Sequence, residues 1–192
     1  IYIKKCEAKE CYDLSRLDTS NINDMSDIFK HSQFNGDISN WNTSDVTTMS
    51  GMFHFTTNFN KDINSWDVSK VTNMSFMFTF AKAFNQDINN WNVSNVTDMH
   101  SIFAFAPSFN KPLLLDLSNI NDTVFMFYEA QAFQTKFNNG NPLPEKTNDL
   151  KQWLKENRDS DKMLAIDIIE REKDNLDSFY NNLESLYNNL DN

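Results

Sequence analysis

Residues 84–108 read FNQDINNWNVSNVTDMHSIFAFAPS, and variants of this unit fill more than half of the chain. The FN dipeptide recurs at Phe34, Phe59, Phe84 and Phe109, 25 residues apart each time. Trp41, Trp66 and Trp91 keep the same register, as do Val46, Val71 and Val96, Met49, Met74 and Met99, and Phe53, Phe78 and Phe103. An earlier stretch, LDTSNINDMSDIF at 17–29, lacks the FN start and reads as an incomplete terminal unit. Terminal units of stacked folds are atypical because one side must face water. The fourth unit degenerates: Pro112 replaces the Asp, Leu115 the Trp and Thr123 the Met, and Phe133 begins a truncated fifth.

Each unit divides in two. Trp91-Asn92-Val93 alternates apolar, polar, apolar, which predicts a short strand with Trp and Val inward. Val96, Met99, Ile102 and Phe103 follow at steps of three, three and one, one face of a short helix or 3₁₀ turn. Thr47, Thr72 and Thr97 stand where an N-cap would accept backbone N–H bonds. No single unit can bury its apolar face, so stacked copies are expected, with Trp, Val, Met and Phe in columns. Asn35, Asn60, Asn85 and Asn110 form a further column, whose amides should bond turn backbone.

The runs FNxDIxxW(N/D)VSxVTxMxxMF at 59–78 and 84–103, with a close variant at 34–53, resemble the 25-residue lipoprotein-associated repeats of mycoplasma surface proteins. Those repeats are related to the Bacteroides-surface-antigen-like leucine-rich-repeat variant. The resemblance covers about residues 17–133. It implies an α/β, leucine-rich-repeat-like right-handed solenoid with one short strand and one short helix per turn, followed by C-terminal helices. It also implies surface adhesion or protein interaction. From Pro112 onward the departures predict that the solenoid distorts or ends.

The expected organisation is a cap segment at 1–16, the repeats at 17–137, a connector at 138–146 and a helical segment at 147–192. Pro142 and Pro144 bar a continuous helix through the connector. Residues 147–158 predict a short helix with Leu150, Trp153 and Leu154 on one side. A longer helix should start at Asp159 or Ser160. Leu176, Phe179, Leu183, Leu186 and Leu190 then form a coiled-coil-like seam over about two heptads. The preferred reading is a helical hairpin packed on the open end of the repeats, with self-association as the second.

The 192-residue chain carries 17 basic and 27 acidic residues, for a formal charge of −10. Up to Lys136 there are 10 basic and 15 acidic residues, and beyond it 7 and 12, so both parts are net −5. Such a chain is repelled by phosphate backbones and anionic lipid, which argues against nucleic-acid partners. No apolar run reaches the roughly 18 residues of a membrane span. Cys6 and Cys11 either bridge a short loop or stay free, and two cysteines make no disulfide scaffold.

The Trp and Phe ladders, which resemble a carbohydrate-stacking surface, read as core because their spacing keeps step with Val and Met. Asp37, Asp62 and Asp87 form an acidic column that either accepts turn N–H bonds or, as the weaker alternative, holds calcium. Nucleophile elbow, HExxH, phosphate loop and paired Cys–His are all missing, so no enzyme, metal or cofactor is expected. The residues that differ between copies are the candidates for recognition on the strand face: Asn42, Asp67 and Asn92, then Asp45, Lys70 and Asn95. The function these readings favour is a bacterial surface or secreted module that binds a host or neighbouring protein. The alternative is a cytoplasmic scaffold or effector that oligomerises through its C-terminal helices.

Overall fold

A computed structural model describes residues 14–159 and 165–178. Cys6, Cys11, Ser160, Phe179, Leu183, Leu186 and Leu190 lie outside the described residues, and Asp159, the other expected start of a second helix, ends the first. In chain order the named elements are a 3₁₀ turn Leu14–Arg16, helix α1 Gln131–Asn138 and helix α2 Thr147–Asp159. Residues 165–178 are also helical.

The expected α/β solenoid with a strand and a helix in each turn does not form. Among the described residues there is no strand or sheet, and residues 17–130 contain no helix. What joins the units is a line of isolated parallel bridges: Asp24 to Thr48, Thr48 to Asn73, Asn73 to Asp98, and Asp98 to Asp122. The leucine-rich-repeat and solenoid descriptions therefore give way to a stack of turn-built coils.

The cause lies in how the N–H groups of 74–80 are shared. Met74, Phe76, Phe78 and Phe80 donate to the carbonyls of Asp98, His100, Ile102 and Ala104 in the next unit, at 2.8–2.9 Å. The intervening Met77, Thr79 and Ala81 close turns on Met74, Phe76 and Phe78, three residues back. A helix would keep every N–H inside its own chain. Here every second one leaves for the neighbour, and the backbone can be neither helix nor strand. The same four cross-unit bonds are made from Met25, Asp27, Phe29 and His31, from Met49, Gly51, Phe53 and Phe55, and from Met99, Ser101, Phe103 and Phe105. Thr47, Thr72 and Thr97 cap nothing; their hydroxyls donate to Asn23, Thr47 and Thr72 carbonyls one unit back.

Each coil sets two residues in the left-handed region, four apart: Asp27 and His31, Gly51 and Phe55, Phe76 and Phe80, Ser101 and Phe105, Phe125 and Glu129, all at φ 54–62°. These kinks let the turns close while the apolar side chains still point inward. Phe29, Phe53, Phe78, Phe103 and Phe127 stack at 5.4–5.6 Å between ring centroids. Phe34, Phe59, Phe84 and Phe109 make a second column at 6.0–6.2 Å. The two interleave at about 4 Å, for instance Phe78 on Phe84 at 3.8 Å. Trp41, Trp66 and Trp91 are buried, and their indole N–H groups donate to the Leu14, Ile38 and Ile63 carbonyls. An indole buried this deeply needs such a partner.

Outside the core the Asn column works as backbone glue. The Asn35, Asn60 and Asn85 side-chain oxygens accept the N–H groups of Asn60, Asn85 and Asn110, at 2.8–3.1 Å.

The C-terminal helices cover the last coil. Phe133 of α1 continues the aromatic column, 5.8 Å from Phe109 and 4.1 Å from Phe127. Leu150 and Leu154 of α2 are buried, and Trp153 packs against the same core. The N–H groups this coil would give to another unit go to the connector and α2: Phe125 donates to the Glu145 carbonyl and Thr123 to the Thr147 hydroxyl. Lys136, with an 8% exposed side chain, ties residues 165–178 to α1 through Asp167 at 2.8 Å and Glu170 at 2.9 Å.

Candidate functional site

The six residues expected on a strand face lie on turns, and all are exposed. Asn42, Asp67 and Asn92 each accept the N–H of the serine two residues on, at 3.1, 2.9 and 3.2 Å. They are turn-formers, and Asx turns of this kind use the same oxygen whether the residue is Asn or Asp. Asp45 and Lys70 pair at 2.6 Å across neighbouring coils. Asn95 donates its amide to the Ser69 carbonyl at 2.7 Å. The structure thus aligns the six in two rows, but in each row the polar atoms hold the turns or the stack together.

The acidic column behaves the same way. Asp37, Asp62 and Asp87 accept the N–H groups of Ser39, Asn64 and Asn89, at 2.8–3.0 Å. The Ser39 N–H, with the Ser39 hydroxyl, holds the Asp37 carboxyl below its ordinary range.

A different surface stands out, away from these six residues. Phe55, Phe76, Phe105, Phe125 and Tyr128 are each 36–40% exposed. Four of them hold left-handed backbones. Bulky L-residues avoid that region, at roughly 1–2 kcal/mol each, and glycine is the usual occupant. Gly51 stands at the place that Phe76 takes one coil later, with φ +62°, and a Cβ there would sit 2.2 Å from the Asp27 carboxylate. Asp27, Gly51, Phe76, Ser101 and Phe125 form one row of left-handed residues. His31, Phe55, Phe80, Phe105 and Glu129 form the other.

Between the rows runs an open trough of about 580 Å³. Phe76 and Phe125 line one side and Phe80 and Phe105 the other, with His54, Tyr128 and Glu145 completing the lining. The floor is small: Thr79, Ser101 and Ala104, all buried. The Thr79 hydroxyl donates to the Ser101 carbonyl. Phe55, Phe80 and Phe105 stack at 4.4 Å with 6° between planes. Tyr128 packs T-shaped on Phe105 at 5.3 Å and on Phe125 at 5.4 Å. His100 lies between Phe76 and Phe125 and faces Asp122 at 3.4 Å. Burial lowers the His54 imidazole from its ordinary 6.5, and nearby Lys30 and His31 add to the effect.

One signal in the sequence pointed here. Position 76 is Asp, Gly, Phe, Ser and Phe in successive units. A core column would not vary in this way; Asp27, Phe76 and Phe125 are exposed there, while the small Gly51 and Ser101 are covered. Among the described residues no group of three His, Cys, Asp or Glu side chains converges as a metal site, and no helix is long and apolar enough to cross a membrane.

One family model matches the chain over residues 2–115 and again over 77–165. The chain belongs to the family described as Mycoplasma protein of unknown function, DUF285. The overlap at 77–115 falls inside the repeats, where a shift by whole units still aligns Phe with Phe. No curated protein and no solved structure matches the chain.

Proposed function

We propose that this DUF285 protein is a non-enzymatic interaction module that binds a host or neighbouring protein through the aromatic trough. The observation that carries this is a double cost borne by the same residues. Phe76, Phe105 and Phe125 each leave more than a third of a phenyl ring in water and hold a strained left-handed backbone. Neither feature helps folding, and Gly51 serves the place of Phe76 and Phe125 without either. Strain and exposed apolar surface kept together mark a site that meets a partner. The proposal includes a position at the cell surface or secretion, with lipoprotein association, which the repeat resemblance implies.

The test compares the wild-type chain with Phe76→Gly/Phe105→Gly for binding to intact host cells and to individually immobilised extracellular proteins. Wild type should bind and the variant should lose at least about tenfold in affinity, as hot-spot aromatics do. Equal binding by both, or turnover of a defined substrate, overturns the proposal. Protease shaving of intact producer cells tests the location: a chain protected from added protease argues for the cytoplasm.

A second reading rests on a separate observation. Ile169 and Leu176, seven residues apart on a helical stretch, are 67% and 54% exposed. They begin a seam that Leu183 and Leu190 continue in sequence, and self-association would cover it. Light scattering with Ile169→Glu/Leu176→Glu decides this, and an unchanged monomer rules it out.

A further inference from the structure

We infer that the trough takes a short extended segment of a partner protein in which an aromatic side chain lies next to a lysine or arginine. This rests on the binding role proposed above and names the chemistry of its ligand.

The backbone N–H groups beneath the trough are already engaged. The N–H groups of Phe76, Phe78 and Phe80 are taken by the carbonyls of His100, Ile102 and Ala104. Strand addition needs free groups on an edge, so recognition falls to side chains. Among these, both faces of Phe80 are covered, by Phe55 and by Phe105. What Phe80 presents to the trough is its ring edge. Sugars stack on open ring faces, and this column does not offer them. A ring edge carries partial positive charge and prefers the negative face of another ring. Tyr128 already meets Phe105 and Phe125 in T-shaped packing, at 77° and 72°. A partner's aromatic ring can repeat that arrangement further along. Small Ser101, Thr79 and Ala104 leave room for it on the buried floor, beside the His100 ring that lies between Phe76 and Phe125.

Charge fixes the neighbour. Glu145 is the acid in the lining, and exposed Glu129 follows Phe105 in its row. Lys30, beyond the far end, is engaged with Asp27 at 3.2 Å. On a chain of net −10 this rim attracts a cationic side chain and repels phosphate and anionic lipid headgroups.

The test is a random heptapeptide library displayed on phage, selected on the full chain and counter-selected on Phe76→Gly/Phe105→Gly. Enriched peptides should carry Trp, Tyr or Phe within two residues of Lys or Arg. Synthetic versions should bind the counter-selection variant about tenfold or more weakly. Glu145→Gln, which leaves the Glu145 carbonyl on Phe125 intact, should weaken basic peptides about threefold or more and leave neutral analogues unchanged. Phe76→Asn, which tolerates the left-handed backbone, repeats the comparison if the double glycine variant melts early. No enrichment, enrichment without aromatic residues, enrichment of acidic peptides, or binding to a glycan array with no selected peptide each overturns the inference. A protein partner that needs the trough but lacks the aromatic–basic pair overturns the ligand chemistry alone. A partner indifferent to Phe76 and Phe105 overturns the binding role as well.

Discussion

The Trp91 indole nitrogen donates to the Ile63 carbonyl at 3.0 Å, reaching back 28 residues into the preceding coil. The same carbonyl also closes a turn by accepting the Trp66 N–H. One oxygen therefore fixes a local turn and the register between two units. Trp91→Phe keeps a ring in the core but removes the donor and part of its volume. The loss should be about 1–3 kcal/mol, a net hydrogen bond plus a small cavity. Urea unfolding followed by far-ultraviolet circular dichroism measures it. No change in midpoint would mean that the indole N–H has no part in holding the coils together.

Phe78 and Phe76 are two residues apart and should respond in opposite ways. Phe78 is fully buried between Phe53 and Phe103. Phe78→Ala should cost about 3–5 kcal/mol. Phe76 is 39% exposed at φ 59°. Phe76→Gly loses partial burial but relieves the left-handed strain, and the two terms, each about 1–2 kcal/mol, nearly cancel. Thermal melts of the two variants make the comparison. A large loss from Phe76→Gly would assign that ring to stability instead of binding.

This contrast also locates the limit of the sequence reading. The columns of Phe53, Phe78 and Phe103, of the Trp residues and of the Met residues were legible because burial demands apolar side chains in register. The backbone that carries them was not. Val96, Met99 and Ile102 at steps of three suit a short helix, and they suit a chain of three-residue turns equally well. The two differ only in where alternate N–H groups go, and that depends on a neighbouring unit about 25 residues away. Phe105 was missed for the same reason: it lies off the face formed by Val96, Met99, Ile102 and Phe103, and only the left-handed turn sets it beside Phe80 at the surface. Trp91-Asn92-Val93 shows the converse. Its in-out-in burial is as expected, yet it is not a strand.

The Asx turns give the fold an acid limit. Backbone N–H bonds from Ser20, Ser26 and Ser39 hold the Asp18, Asp24 and Asp37 carboxyls below their ordinary 3.8, and the Ser69 hydroxyl and N–H do so for Asp67. A carboxyl depressed in the folded state adds stability that is complete above its unfolded value and is lost as pH falls through its folded one. Stability contributed by these turns should therefore hold down to about pH 4 and fall below it. Replacing all four by Asn keeps the acceptor, as Asn42 and Asn92 already do in the place of Asp67. The quadruple variant should lose less stability than wild type between about pH 4 and pH 2. Parallel slopes in urea midpoints over that interval would show that these carboxylates play no part.

The Lys136 ammonium reaches Asp167 and Glu170 from a nearly covered position on α1. Burial disfavours its charge, but the bonds and charges of Asp167 and Glu170 outweigh that and raise it above its ordinary 10.5. A raised lysine contributes stability that is complete below its unfolded value and vanishes only as pH rises past the folded one, so this tie is intact at neutral pH. Lys136→Met keeps the aliphatic stem and removes the charge. The coils do not depend on this pair, because Phe133 and Phe137 on the same helix keep their places in the core. The variant should thus melt within a few degrees of wild type while amide exchange across 165–178 speeds up several-fold, the signature of local opening. Exchange as slow as in the wild type would show that Ile166, which packs against the core, holds the helix without help from the charge.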